Sequence, residues 1–320
     1  MRQFVKAPAP AGALLLLGLW LGGCATPQLA ALQANPPPGL PERAEITTTP
    51  FHPQQDYHCG PATLATVLQH AGVAATPEAL AAQVYLPGRK GALQAEMLAA
   101  VRRHGLIAYR LAPRLEDLLR ELAAGTPVVV LQNLAFNFAP LWHYAVAIGY
   151  DRAREEIVAR SGTTYRLAMT LSNFERTWER GAHWAMVALP PDRLPVTATE
   201  DTYVSAAVGL ESVAPHAART AYATALARWP RNLLALIGLG NTAYGMKDLA
   251  AAEAAYRRAA REHPEAADAW NNLAQTLLGL GRKDEALAAG HRAVALGGPR
   301  LATYRATLKS IVETPQEPAR

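Results

Sequence analysis

A 34-residue period in the last third of the chain constrains the fold more than any other feature of the sequence. Trp270 lies 34 positions after Leu236, and the same offset relates Leu273 to Leu239, Ala286 to Ala252, and Ala293 to Ala259. This is the length of a helix–turn–helix unit, which cannot bury its own apolar face and must stack on similar units. The period therefore predicts an all-α array of paired helices, and the small residues allow neighbouring helices to approach closely.

The repeating positions resemble the signature of the tetratricopeptide family. The unit that begins near Leu233 has the family's residues at the expected spacing: Leu239, Gly240, Ala252, Tyr256, Ala259 and Pro264. The unit before it matches only in its second half: Ala218, Tyr222, Ala225 and Pro230. We predict two regular repeats, one divergent repeat and a closing helix over residues 301–312, all within residues 199–313. Unrelated amphipathic helices are the alternative, which the in-register positions disfavour. The resemblance implies a concave groove that binds a protein or peptide partner.

The first 24 residues have the pattern of a bacterial lipoprotein signal peptide. Arg2 and Lys6 supply a positive start, residues 11–21 are apolar, and Leu21-Gly22-Gly23-Cys24 is a small-residue cleavage site that ends in cysteine. The apolar stretch is short for a helix that spans a bilayer, which disfavours the alternative of an uncleaved anchor. The motif predicts that Cys24 carries a lipid, becomes the new N-terminus and anchors the protein to a membrane.

The residues after Cys24 predict where the protein resides and how it is tethered. Ala25 and Thr26 stand where an aspartate would indicate retention in the inner membrane. The resemblance to sorted lipoproteins thus implies the outer membrane, with the protein facing the periplasm. Residues 25–50 are rich in Pro, Ala and Gln, include three consecutive prolines and lack an apolar period. We expect this segment to be an extended tether.

Composition excludes several classes of function. The 31 basic and 26 acidic residues give a net charge of +5 without a run of Lys or Arg, so the chain lacks the basic patch of a nucleic-acid-binding protein. The 9 His residues show no metal-ligand spacing, and there is no Gly-rich phosphate loop. We therefore expect neither a cofactor nor a metal. A length of 320 residues with 50% apolar content suffices for two domains.

Residues 51–190 mix helix and strand patterns. Helical periodicity covers residues 60–70, 76–84, 91–104 and 115–124. Strand patterns follow at residues 128–131, 144–148, 156–159, 166–171 and 184–189. Helices that precede a series of strands favour an α+β domain with an antiparallel sheet.

Cys59 stands where the first of these helices should begin. Pro61 is favourable in a first helical turn, and Leu64 and Leu68 continue at helical spacing. Free N–H groups and the positive end of the helix dipole favour a thiolate there, which indicates a nucleophile. A buried core cysteine is the alternative. The chain has 2 Cys, and with Cys24 lipidated Cys59 has no disulfide partner within one molecule.

Four segments resemble the bacteriocin-processing cysteine peptidases, which cut double-glycine leaders, and their stand-alone relatives. They are Gln54 with Cys59-Gly60-Pro61-Ala62, then Lys90-Gly91, then Thr126-Pro127-Val128-Val129-Val130, then His143-Tyr144-Ala145-Val146. The resemblance covers residues 51–189 and implies a papain-like fold. It also implies that Cys59 attacks a carbonyl, that His143 takes and returns the proton, and that Gln54 stabilises the oxyanion. Many papain-like enzymes have this glutamine six residues before the cysteine, where this chain has Pro53, so Gln55 is the other choice.

The orienting acid of that family is missing. These peptidases usually have an Asp at the end of the strand that follows the His strand. A hairpin that turns at residues 151–154 puts residues 161–164 opposite His143, and that stretch, Ser161-Gly162-Thr163-Thr164, has no carboxylate. Asp151 belongs in the turn. The prediction is therefore a Cys–His dyad in which Ser161 hydrogen-bonds the ring, less strongly than an acid would.

Three further sites are interpreted as structural. His58 should point away from its neighbour Cys59, and His183 should serve packing at the start of a strand. Glu175 and Trp178 should lie on a capped surface helix after Asn173.

Together these features predict a membrane-anchored cysteine peptidase that cleaves a peptide or protein captured by its repeats. The missing carboxylate supports a second hypothesis, an inactive peptidase-like lipoprotein that acts as an adaptor. Acyl transfer or amide exchange at the same thiol is a third.

Overall fold

The computed structural model describes residues 26–54 and 58–315 of the chain. The helices before the repeats are α1 (Pro27–Ala34), α2 (Cys59–His70), α3 (Pro77–Val84), α4 (Gln94–Arg103), α5 (Leu115–Ala123) and α6 (Leu171–Glu179). The strands are β1 (Arg43–Glu45), β2 (Ile107–Arg110), β3 (Val128–Asn133), β4 (Trp142–Asp151), β5 (Glu156–Ser161), β6 (Thr164–Thr170) and β7 (Ala185–Leu189). The remaining helices are α7 (Glu200–Val208), α8 (Pro215–Arg228), α9 (Leu233–Gly245), α10 (Leu249–Glu262), α11 (Ala267–Gly279), α12 (Lys283–Leu296) and α13 (Leu301–Glu313).

The described strands form one antiparallel sheet in the order β2, β7, β3, β4, β5, β6. β4 is long enough to have two partners on one side. β3 pairs with its residues 142–147, and β1 pairs with residues 149–151. β3 and β7 are buried along their whole length, which accounts for their nearly continuous apolar sequences.

The two faces of the sheet enter two separate cores, because successive side chains of a strand point to opposite sides. One core joins residues such as Val129 and Val146 to α2, α3 and α4. The other joins residues such as Val130 and Ala145 to α1, α5, α6 and the repeat helices. This antiparallel sheet between helical layers confirms the predicted α+β domain.

The prediction of an extended tether over residues 25–50 is wrong for the described part. α1 lies against the domain and buries Leu29 and Leu32. The Glu175 carboxylate accepts hydrogen bonds from the backbone N–H groups of Gln28 and Leu29 at 2.9 and 2.8 Å, and so satisfies the first turn of the helix. The segment lacks a sequence period because isolated leucines, rather than a continuous stripe, contact the domain.

The C-terminal helices form the predicted helical repeats. α7 with α8, α9 with α10, and α11 with α12 are the three pairs, and α13 closes the array over nearly the predicted residues. The glycine of the repeat signature has a packing reason. A Cβ on Gly240 would lie 2.4 Å from Cε1 of Tyr256, so only glycine lets α9 approach α10 this closely.

The repeats are packed on the sheet domain. Tyr203 and Val204 of α7 belong to the same core as Leu118 and Leu122 of α5. The segment between the two regions is fixed as well, because the Glu121 carboxylate accepts from the backbone N–H and hydroxyl of Thr197 at 2.9 and 2.6 Å. The two regions therefore share buried surface.

The predicted signal peptide, residues 1–24, and its lipidation site Cys24 lie outside the described residues. In the part of the chain that the structure describes, no helix has the length and apolar character needed to cross a bilayer.

Candidate active site

Cys59 is the first residue of α2, as the sequence predicted. The helix can begin here against its neighbours because Gly60 has no side chain: a Cβ at that position would lie 2.7 Å from the Cβ of Ala92. The Thr63 hydroxyl, one turn later, donates to the backbone carbonyls of Cys59 and Gly60, both at 2.9 Å. Local sequence and a close contact between segments thus fix the position of the thiol.

The thiol lies against the start of β4. It interacts with the backbone of Tyr144, the residue that follows His143. Tyr144 is itself held in place, since its hydroxyl donates to the Ala92 carbonyl at 3.3 Å and its ring meets Trp184 edge-on at 5.7 Å. The strand therefore places His143 next to the residue whose backbone interacts with the Cys59 thiol.

Burial decides the charge of the thiol. Burial raises the pKa of the Cys59 thiol, and the backbone N–H groups of Tyr144, Gly60 and Cys59 itself offset part of that rise. The sequence had favoured a thiolate because of the helix N-terminus, and the structure corrects this expectation. The dipole of one helix end does not compensate for the water that α2 loses when it packs on the sheet.

His143 is oriented by the residue that the hairpin register predicted. Its Nε2 lies 2.8 Å from the Ser161 hydroxyl oxygen, at the end of β5. Burial lowers the pKa of the His143 ring, so the neutral imidazole is favoured. A neutral ring that donates through Nε2 has Nδ1 left as its acceptor, which is the nitrogen that can take a thiol proton.

No hydrogen bond joins the Cys59 thiol to the His143 ring, although the structure describes both residues; the ring is bonded to Ser161. Strand alternation points His143 and Tyr144 to opposite faces of the sheet. The His143 face also carries its cross-strand partner Gln132, whose side-chain amide donates to the Thr177 hydroxyl at 2.6 Å. The His143 ring therefore lies on the face opposite to the Tyr144 ring, next to the side chain of Gln132.

Gln54 reaches the same end of the sheet. Its backbone N–H donates to the Gly162 carbonyl at 3.0 Å, beside Ser161 in the turn between β5 and β6. Gln55, the other candidate for an oxyanion donor, lies outside the described residues. Asp151 is the last residue of β4, opposite Arg43 in β1, and its side chain accepts from the Arg154 N–H at 3.0 Å, so its carboxylate caps the turn between β4 and β5.

Comparisons with known proteins find matches for both regions of the chain. Residues 46–186 match the family described as Peptidase_C39 like, and residues 237–300 match the tetratricopeptide repeat. The chain joins a C39-like peptidase domain to tetratricopeptide repeats. Both resemblances inferred from the sequence are thereby confirmed, and no curated protein matches the chain.

Solved structures are also similar to parts of the chain. A C39-like peptidase from Bacillus anthracis is 20% identical, with 47% of this chain and 98% of that chain covered and a TM-score of 0.39. MamA is 18% identical, with 36% of this chain covered and a TM-score of 0.33. The match spans 63% of the length of the MamA chain.

Arg160 is a residue of the C39-like domain that sequence analysis missed. Its side chain is only 3% exposed, and its guanidinium donates to the backbone carbonyls of Thr49 and Tyr165 at 3.0 and 2.5 Å. It also lies over the Tyr165 ring, 3.8 Å from the centroid. Arg160 thus ties three segments together next to Ser161. A lone arginine in a strand gave no sequence signal of this role.

The other sites agree only in part with their interpretation as structural. His58 faces the Tyr85 ring at 5.0 Å, and His183 meets the Trp178 ring edge-on at 4.8 Å, so both serve packing. The expectation of a surface helix for Glu175 and Trp178 is wrong, because both side chains are buried. α6 is covered by α1, whose first turn Glu175 caps.

In the described chain, residues 26–54 and 58–315, no group of three or more His, Cys, Asp or Glu is arranged to hold a metal.

Proposed function

We propose that the chain is a membrane-anchored cysteine peptidase that hydrolyses a peptide bond in a peptide or protein captured by its repeats. One arrangement carries this proposal: the Cys59 thiol at the start of α2 contacts β4 beside His143, whose Nε2 is bonded to Ser161. Nucleophile, base and orienting group thus come from α2, β4 and β5, at one end of the sheet.

The chemistry starts from a neutral thiol and a neutral imidazole. As the sulfur attacks the peptide carbonyl, the thiol proton moves to His143 Nδ1, and the positive ring donates through Nε2 to Ser161. The Cys59 backbone N–H and the Gln54 side-chain amide are the proposed donors to the oxyanion. The amine leaves with the proton from His143. Water then attacks the thioester, with His143 as its base, and releases the acid and the thiol.

The two ends of the chain are proposed to provide a membrane anchor and a binding surface for the substrate. The signal-peptide pattern supports a lipid on Cys24 and a location on the periplasmic side of the outer membrane. The repeats form a stacked array of the kind that binds proteins or peptides, and the contact of α7 with β2 keeps them against the sheet. A captured chain is thereby held close to one peptidase domain, which raises its local concentration there.

A library of quenched fluorescent peptides tests the peptidase, with the chain starting at Ala25 and its Cys59→Ala and His143→Ala variants. We expect cleavage by the parent and at least a hundredfold loss in both variants, because each removes a group that contacts the reacting atoms. A matched His58→Ala variant should cleave like the parent. Cleavage that persists in Cys59→Ala would refute the proposal.

Ser161 brings a hydroxyl to His143 where the family usually has a carboxylate. This supports a second candidate function, an inactive domain that serves as an adaptor. A peptide array probed with the parent and Cys59→Ala distinguishes the two, together with Leu234→Asp/Tyr244→Asp, which alters exposed residues of α9. An adaptor would show no cleavage, binding that is unchanged in Cys59→Ala, and binding that is lost in the α9 variant. Point variants are preferable to a deletion, which would uncover the core shared by the two regions.

A further inference from the structure

The loop between β3 and β4 projects five large apolar side chains into solvent, directly before His143. Their exposed fractions are 46% for Leu134, 67% for Phe136, 86% for Phe138, 59% for Leu141 and 53% for Trp142. No charged residue occurs from position 133 to position 142. We call residues 134–142 the apolar hairpin.

The apolar hairpin has a defined structure that presents these side chains. The Leu134 N–H donates to the Leu141 carbonyl at 2.9 Å, and Phe136 and Ala139 form an antiparallel bridge. The Asn133 side-chain oxygen accepts from the N–H groups of Ala135 and Leu141 at 3.1 and 2.9 Å. The Phe136 and Phe138 rings stack at 5.3 Å. Backbone groups at its base are therefore paired, as insertion into an apolar medium requires.

The start of the described chain points to the same end of the molecule. α6 runs from Leu171, bonded to Glu155, to the base of the apolar hairpin, where Arg180 Nε donates to the Asn133 carbonyl at 3.1 Å. α1 runs antiparallel to α6: its first turn bonds Glu175 in the middle of α6, and Gln33 near its end bonds Glu155. The N-terminus of α1 is thus directed towards the apolar hairpin.

The described chain begins at Thr26, only two residues after the predicted lipidation site Cys24. Two residues of chain span at most about 7 Å. The predicted lipid and the apolar hairpin therefore share one end of the molecule.

We propose that the apolar hairpin inserts into the lipid leaflet that holds the acyl chains of Cys24. This inference rests on the membrane anchor of the proposed function. Phe, Leu and Trp are the side chains that enter the interface of a bilayer, and a second contact strengthens a lipid anchor. Because His143 follows Trp142, insertion holds the site at the membrane surface, and the bonds it cuts lie in polypeptide segments close to that surface.

The shape of the hairpin favours a bilayer over a peptide. Phe138, at its tip, is the most exposed large apolar side chain among the described residues. A peptide side chain needs a concave site that encloses it, whereas a projecting tip without charge suits a medium that surrounds it.

Sedimentation with vesicles of phosphatidylethanolamine and phosphatidylglycerol tests the proposal. The protein is the chain that starts at Ala25, without lipid; it keeps every described contact, since the described fold begins at Thr26. We expect the parent to bind the vesicles and Phe136→Asn/Phe138→Asn to bind at least tenfold more weakly. The matched control is Leu234→Asn/Val312→Asn, which removes two exposed apolar side chains from the repeats and should bind like the parent.

Depth is measured with brominated lipids, which quench tryptophan inside the bilayer. Phe138→Trp should gain quenching relative to the parent, and Leu234→Trp should not. Equal binding of the hairpin variant and the parent, or no binding by the parent, would overturn the proposal. Unchanged vesicle binding with slower cleavage of a soluble peptide would also overturn it, by making the hairpin a substrate contact. Cys59→Ala must bind vesicles like the parent, so this readout does not depend on peptidase activity.

Discussion

At rest, Cys59 and His143 are both neutral, unlike a thiolate and imidazolium that form an ion pair. Burial raises the pKa of Cys59 and lowers the pKa of His143, so both groups are neutral near pH 7. A hydroxyl at Ser161 cannot compensate as a carboxylate would, because it brings no negative charge to the ring. In the proposed reaction, proton transfer from Cys59 to His143 must therefore accompany attack on the substrate.

The pH dependence of Cys59 alkylation by iodoacetamide measures this charge state. In the chain that starts at Ala25, Cys59 is the only thiol. We expect the rate to rise with a midpoint above the reference of about 8.5, because the raised pKa keeps the thiol protonated to higher pH. His143→Ala should hardly move the midpoint, since a neutral ring offers no charge to lose. A midpoint well below the reference would indicate a resting ion pair.

A carboxylate in place of the Ser161 hydroxyl should strengthen the base. Ser161→Asp should raise the pKa of His143, which NMR titration of the ring measures, and should increase cleavage of the best library peptide about tenfold or more. Thr163→Asp, in the same turn but exposed, adds the same charge without this contact. If the two aspartate variants behaved alike, the bond between Ser161 and His143 would not orient the base.

The elements of the fold divide into those with a repeating pattern and those without one. Helices α2 to α5 and strands β3 to β7 were predicted, because each carries its own period or apolar run. α1, β1 and β2 were not. Isolated apolar residues, Leu29 and Leu32, fix α1 on the domain, and β1 and β2, of three and four residues, are too short to show a period. Their stability depends on surfaces contributed by residues far away in sequence.

Between α9 and α10, the repeat geometry depends on Gly240. Gly240→Ala should lower the free energy of unfolding by about 1–3 kcal/mol, because the new methyl group meets the ring of Tyr256. Thermal and urea denaturation measure this change. Gly245→Ala is the matched control at the end of the same helix, where a Cβ meets no atom within 4 Å, and it should leave stability unchanged or slightly higher. Equal effects of the two substitutions would contradict the packing argument.

At the scale of the whole molecule, the two regions are joined by packed residues around Glu121 and Thr197. The buried Glu121 carboxyl holds Thr197 through Oε1, while its Oε2 has no hydrogen-bond partner in the described chain. Burial raises the pKa of Glu121, and the Thr197 donors and the nearby Asp117 charge modify that rise in opposite directions. The Glu121 carboxyl therefore binds its proton more tightly in the folded protein than in the unfolded chain.

The stability of this junction should fall as the pH rises. A raised folded pKa contributes stability that is full below the unfolded value of about 4.3 and is lost as the pH rises through the folded value. In Glu121→Gln the free energy of unfolding should decrease less as the pH rises, and the variant should be at least as stable as the parent at pH 7. Urea unfolding from pH 4.5 to 7.5 measures it. Glu116→Gln, on the same helix but partly exposed, should show the same change of unfolding free energy with pH as the parent. The same change in Glu121→Gln as in the parent would contradict the assignment of this pH dependence to Glu121.

The sequence by itself determined the features that short segments encode. The 34-residue period determined the helical repeats, Pro61 and the spacing of Leu64 and Leu68 determined the helix start at Cys59, and the hairpin register determined that Ser161 meets His143. Only the tertiary structure decided the charge of the thiol, the docking of α1 and the buried position of Arg160. The physical reason is that periodicity and register are local, whereas burial and its effects on pKa depend on atoms that the fold brings together from distant parts of the chain.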